Sequence, residues 1–121
     1  MTRKNETASY LPLTPAMFQI LVALADGEKH GYAVIKEVAM RTDGKVRLSA
    51  GTLYGNLARL EASGLIAESD RRPAFALDDE RRRYYRLTEL GRQVAVAEAQ
   101  RMEEALEQAR AKNLLRKPKL A

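Results

Sequence analysis

Apolar residues recur at helical spacing in three successive stretches, then in two short extended stretches, and finally along one long helical stretch. The first begins at Thr14-Pro15, where Thr offers a capping oxygen and Pro occupies a position whose missing N–H costs nothing. Met17, Phe18, Ile20, Leu21, Val22 and Leu24 make it apolar nearly all round. That predicts a central helix running to about Ala25, before Asp26-Gly27 turns the chain. A second helix is predicted from Gly31 to Thr42, with Tyr32, Ile35, Val38 and Ala39 inward and Lys36, Glu37 and Arg41 outward, ended by Asp43-Gly44. Val46-Arg47-Leu48 is a short β-prone piece ahead of the third.

The third helix carries the most information. Ser49 can accept from the free amides of its first turn, Leu53, Leu57 and Leu60 recur at helical spacing, and Gly64 supplies the left-handed residue that ends it. With Leu53 inward, a step of about 100° per residue sends Gly51, Gly55, Ala58 and Ala62 outward and puts Thr52, Tyr54, Asn56 and Arg59 on the flanks. One side packs, and the other lets a surface approach closely. Residues 65–69 and 82–87 are then strand candidates that pair as a hairpin around a loop holding Pro73 and acidic residues.

Thr88 can cap a last helix that no Gly or Pro interrupts from Arg92 to Lys117. Its Ala95, Ala99, Met102, Leu106 and Ala109 recur in alternating four- and three-residue steps. Glu98, Arg101, Glu103, Glu104, Glu107 and Arg110 surround that seam, which folds back over the domain or pairs with a second subunit. The predicted fold class is mainly α with a small β-hairpin, a winged helix-turn-helix plus a long C-terminal dimerisation helix. Its parts are a flexible N-terminal arm at 1–12, the winged domain at 13–88, the dimerisation helix at 89–116 and a basic tail at 117–121.

A chain of 121 residues with 45% hydrophobic content suits one domain with a modest core. No run of about 18 uncharged apolar residues exists and Met1 to Ser9 is polar, so a soluble, cytoplasmic protein without a membrane partner is expected. The absence of Cys removes disulfides and thiolate zinc sites, and one histidine, His30, supports neither a metal cluster nor a catalytic triad. With no glycine-rich phosphate loop either, the expectation is no enzyme, no metal and no cofactor. The 21 basic against 16 acidic residues suit a polyanionic partner. Arg71, Arg72, Arg81, Arg82, Arg83 and Arg86 gather beside the third helix, interrupted by Asp78, Asp79 and Glu80, and Lys112, Arg116, Lys117 and Lys119 close the chain.

Several motifs stand in a recognisable order: His30-Gly31-Tyr32; Gly51-Thr52-Leu53-Tyr54 with Leu57-Ala58-Arg59-Leu60-Glu61 and Gly64-Leu65-Ile66; and Arg83-Tyr84-Tyr85-Arg86-Leu87-Thr88-Glu89-Leu90-Gly91. From about residue 13 to 95 the chain resembles the PadR-like transcriptional regulators. Gly55 departs from the proline that commonly follows the helix tyrosine there, and glycine costs about 1 kcal/mol of helix propensity relative to alanine. The short stretch after Gly91 resembles members with one C-terminal helix. The resemblance implies a regulator of transcription, and in many members a response to a small hydrophobic or phenolic effector.

The candidate DNA-binding residues are Ser49, Ala50, Gly51, Thr52, Tyr54, Asn56 and Arg59 on the third helix and Arg71, Arg72, Arg82 and Arg83 on the wing. The candidate dimerisation residues are Ala95, Ala99, Met102, Leu106 and Ala109. Together they describe a homodimeric repressor on a near-palindromic operator in double-stranded DNA, its half-sites about 34–36 Å apart. Alternatives stay open residue by residue. Tyr54 can shield the contact between the second and third helices, Arg83 and Arg86 can pair with Glu68 or Asp70, and His30 reads as a capping or packing residue. Tyr10, Met17, Phe18, Met40 and Met102 line an effector pocket or simply fill the core. The whole winged helix can also dock on an acidic protein surface instead of DNA.

Overall fold

The computed structural model describes residues 7–69 and 83–116. Its elements are α1 (Pro15–Ala23), β1 (Lys29–His30), α2 (Gly31–Arg41), α3 (Ala50–Ala62), β2 (Ile66–Glu68), β3 (Tyr84–Leu87) and α4 (Glu89–Ala111). Each helix opens on a side-chain cap that satisfies an otherwise free N–H. Thr14 Oγ1 accepts from Met17 (3.1 Å), His30 Nδ1 from Ala33 (3.2 Å), Ser49 Oγ from Thr52 (3.1 Å) and Thr88 Oγ1 from Gly91 (2.9 Å). A cap of this kind contributes on the order of 1 kcal/mol.

The caps set the phase of each helix, and the phase decides what is buried. Ile20 and Leu21 of α1, Val34 and Val38 of α2, Leu53, Leu57 and Leu60 of α3, Tyr85 of β3 and Val94 of α4 form one core with Leu48, Leu65 and Ile66. The predicted strand pair is present, with Ile66 opposite Leu87 and Glu68 opposite Tyr85 in antiparallel register. The sheet is nevertheless three-stranded, ordered β1-β3-β2, because Lys29 and His30 pair with Tyr85 and Tyr84. A strand of two residues leaves no alternation to read.

Other expectations are corrected. Val46-Arg47-Leu48 is not a strand: the Val46 N–H donates to Thr42 Oγ1 (3.0 Å), which closes a turn after α2, and Leu48 inserts into the core. On α2 the buried residues are Gly31, Val34 and Val38, and Tyr32 is 57% exposed. Gly31 itself lies against α3, so its neighbour, a helical step further round, turns outward. On α1, Phe18 and Val22 stay half-buried.

Long helix α4 packs through its first half alone, where Gly91, Val94 and Glu98 are buried. Glu98, expected beside a solvated seam, is 1% exposed. Its carboxylate accepts from the Leu13 N–H at 2.9 Å and from Arg101 at 2.5 and 3.2 Å, which ties the start of α1 to α4. The Arg101 guanidinium, with the Leu13 N–H, holds this carboxyl below the ordinary glutamate value although burial pushes the other way. A depressed folded value means the stabilisation is present in full above the ordinary value and is lost as pH falls through the folded one. Glu98→Gln is therefore expected to cost about 1.5 kcal/mol at neutral pH, from weakening these bonds. It should also lose less stability than the parent on acidification from about pH 5 to about pH 3, as read by thermal melts.

Candidate nucleic-acid interface

Burial of Leu53, Leu57 and Leu60 fixes the rotation of α3, so its opposite face is free. A Cβ added at Gly51 or Gly55 would meet nothing within 4 Å, and Ala50, Gly51, Gly55, Ala58 and Ala62 are all exposed. Gly64, at φ +82°, ends this stretch in a conformation other residues rarely adopt. Thr52 and Arg59 border one edge of the smooth face and Tyr54 the other. The Ser49 and Thr52 hydroxyls lie 3.1 Å apart, and Asn56 Nδ2 donates to the Thr52 carbonyl (2.9 Å), leaving its second N–H and its Oδ1 for another partner.

Tyr54 is 51% exposed, and its hydroxyl rests against the first residue of α2: a Cβ on Gly31 would come within 2.8 Å of it. The tyrosine therefore braces α2 against α3 and still offers its edge to solvent. His30 is both cap and packing residue, its ring edge-on to Tyr84 (5.4 Å) and parallel to Tyr32 (6.5 Å). Arg83 stands 3.9 Å from Glu68 with 68% of its side chain exposed. An exposed pair of that length contributes little and yields to a stronger anion. Arg71, Arg72 and Arg82 lie outside the described residues.

Several cations are already neutralised within the chain. Lys29 pairs with Asp26 (2.5 Å) and Glu37 (3.5 Å), Arg41 with Glu37, Arg101 with Glu98 and Arg110 with Glu107 (3.2 Å). Lys29 also lowers the Asp26 pKa, mainly through their hydrogen bond. Among the described residues no acidic side chain pairs with Lys36, Lys45, Arg47 or Arg59, on α2, on the turn after it and on α3; Arg47 Nε donates instead to the Gly44 carbonyl (3.2 Å). The sequence alone does not single out Lys36, Lys45 and Arg47, because it shows charges and not which of them are already neutralised.

The candidate dimer residues lie along α4 as the spacing predicts, but not equally covered. Ala95 packs against the core, Met102 and Ala109 are half-buried, and Ala99 and Leu106 are exposed. Of the five residues expected around an effector or in the core, Phe18 and Met102 are half-buried. Tyr10 and Met17 pack against the core, whereas Met40 lies on the outer face of α2 in a shallow depression of about 570 Å³ with Lys29, Ala33, Lys36, Glu37 and Arg41. Among the described residues no helix is long and apolar enough to cross a membrane, and no acidic or histidine group could hold a metal ion.

A smooth outward helix braced by a second helix, with an antiparallel ribbon at its end, defines a winged helix-turn-helix protein, a class that regulates transcription by binding DNA. The family model of the PadR-like transcriptional regulators matches residues 20–97, and the chain belongs to that family. A transcriptional regulator of Mycobacterium tuberculosis is 38% identical over 85 residues, 70% of this chain and 73% of that protein. An uncharacterised 37.1 kDa transposon protein of Streptomyces fradiae is 39% identical over 87 residues; the match covers 72% of this chain but spans only 23% of that protein. A transcriptional regulator from Clostridium thermocellum has a solved structure with a TM-score of 0.61 and 27% identity, covering 93% of this chain and 99% of that one.

Proposed function

We propose that this regulator is a homodimeric, cytoplasmic repressor that occupies a near-palindromic operator and is released by a small hydrophobic or phenolic effector. The observation that carries the reading is the outward face of α3, open at Gly51 and Gly55 and bordered by Thr52, Tyr54 and Arg59. Such a face enters a major groove without steric cost, and Thr52, Asn56 and Arg59 supply donors and acceptors for base edges. Ala50 offers its methyl group to the same base edges, and Ser49, Tyr54 and the wing residues Arg71, Arg72, Arg82 and Arg83 hold the backbone on either side.

Pairing of two chains is supported by apolar surface that the described residues leave uncovered. Val96 and Leu106 on α4 are exposed, and Phe18 and Val22 on the neighbouring α1 are half-buried. The seam Ala95, Ala99, Met102, Leu106 and Ala109 lies on the same helix, and an α4-to-α4 contact would present two α3 helices to one duplex.

The test is fluorescence anisotropy of labelled random-sequence duplex at several salt concentrations. If each protomer contacts about four phosphates, log K against log salt falls with a slope near −7. A flat salt response would instead assign the face to an acidic protein surface.

A further inference from the structure

Lys36 stands out among the cations of the helical half. Its Nζ sits 5.4 Å from the ring centroid of Tyr32, itself exposed, and among the described residues no carboxylate pairs with it. The nearest acid in sequence, Glu37, is engaged by Lys29 and Arg41. The two flanks of α2 are identified by what they touch. Arg41 donates to the Gln19 carbonyl and side chain of α1 (3.1 and 3.0 Å), which puts Glu37 and Arg41 on the α1 side. Gly31 meets Tyr54, which fixes the α3 side, and Tyr32 and Lys36 follow Gly31 by about 100° and 140° round the helix, away from α1.

We propose that Lys36, held on the Tyr32 ring, is a DNA-backbone contact made from α2, alongside the Tyr54 edge of α3; this rests on the DNA-binding reading above. The chemistry selects phosphate. A lysine ammonium and a tyrosine hydroxyl are both phosphate ligands, and the helix preceding a recognition helix crosses the backbone. The ring also limits the wandering of the lysine stem, so less freedom is lost when a phosphate is met.

The experiment is Lys36→Gln in the full chain, titrated on random-sequence duplex at several salt concentrations, with circular dichroism to confirm the fold. The expected result is a salt slope shallower by about one unit per protomer, on any sequence alike. Tyr32→Phe, which removes no charge and keeps the ring, should leave that slope in place. A full slope in both the parent and Lys36→Gln overturns the α2 contact and leaves the DNA reading standing. A parent protein with no salt-dependent binding overturns the DNA reading, and this contact with it.

Discussion

Gly91→Ala is expected to lose roughly 3 kcal/mol of stability, although alanine is the better helix former by about 1 kcal/mol. The added Cβ would lie 1.9 Å from the Leu65 carbonyl oxygen, and 2.9 Å from both the Leu65 carbonyl carbon and Leu87 Cδ1. That carbonyl cannot swing aside, because it accepts the Thr88 N–H at 3.1 Å and has the Thr88 hydroxyl at 3.0 Å. The start of α4 would have to back away from β2, taking with it the Thr88 cap and the seat of Val94 in the core. Urea unfolding measures the loss. An unchanged midpoint would show that α4 can slide along the sheet at no cost, which close packing argues against.

Gly51→Glu should separate stability from DNA binding. Among the described residues nothing lies within 4 Å of a Cβ there, so a side chain fits. It lies in the first turn of α3, just after the Ser49 cap, where a carboxylate is favoured by the helix dipole. Replacing glycine by a better helix former adds a few tenths of a kcal/mol more. The melting temperature should therefore hold or rise. The same carboxylate would face phosphates and acceptor-rich base edges, and like-charge juxtaposition costs several kcal/mol, so affinity for duplex DNA should fall by about a hundredfold or more. Anisotropy and a thermal melt on one preparation decide it. Retained affinity would mean that α3 does not enter the groove through this face.

Helix α3 was legible because every device that shapes it is local. Ser49, the Leu53, Leu57 and Leu60 stripe and Gly64 lie within one run of sequence, and all serve as predicted. The same holds for the Thr14 and Thr88 caps, and the two extended stretches pair as expected, with a register that only the structure supplies. What escaped depends on distant partners. Strand β1 exists because β3 offers it an edge, and Tyr32 turns outward because Gly31 has taken the place against α3. Glu98 looks like any other acid of a solvated helix until the Leu13 N–H, far off in sequence, arrives beside it. The site divides in the same way: the α3 face could be read from periodicity, but which cations remain unneutralised could not.

Helix α4 is anchored between Gly91 and Glu98, and none of its residues beyond Glu98 is buried. The two halves are thus under separate constraints. The first must satisfy the core, and the second answers only to whatever lies across from it. In the dimer proposed above, substitutions at Ala99, Met102 or Leu106 would retune the choice of subunit, and so allow or forbid mixing with related chains in one cell, without disturbing the packed core that carries α3. On that proposal, the partner taken and the DNA sequence recognised would be able to change independently.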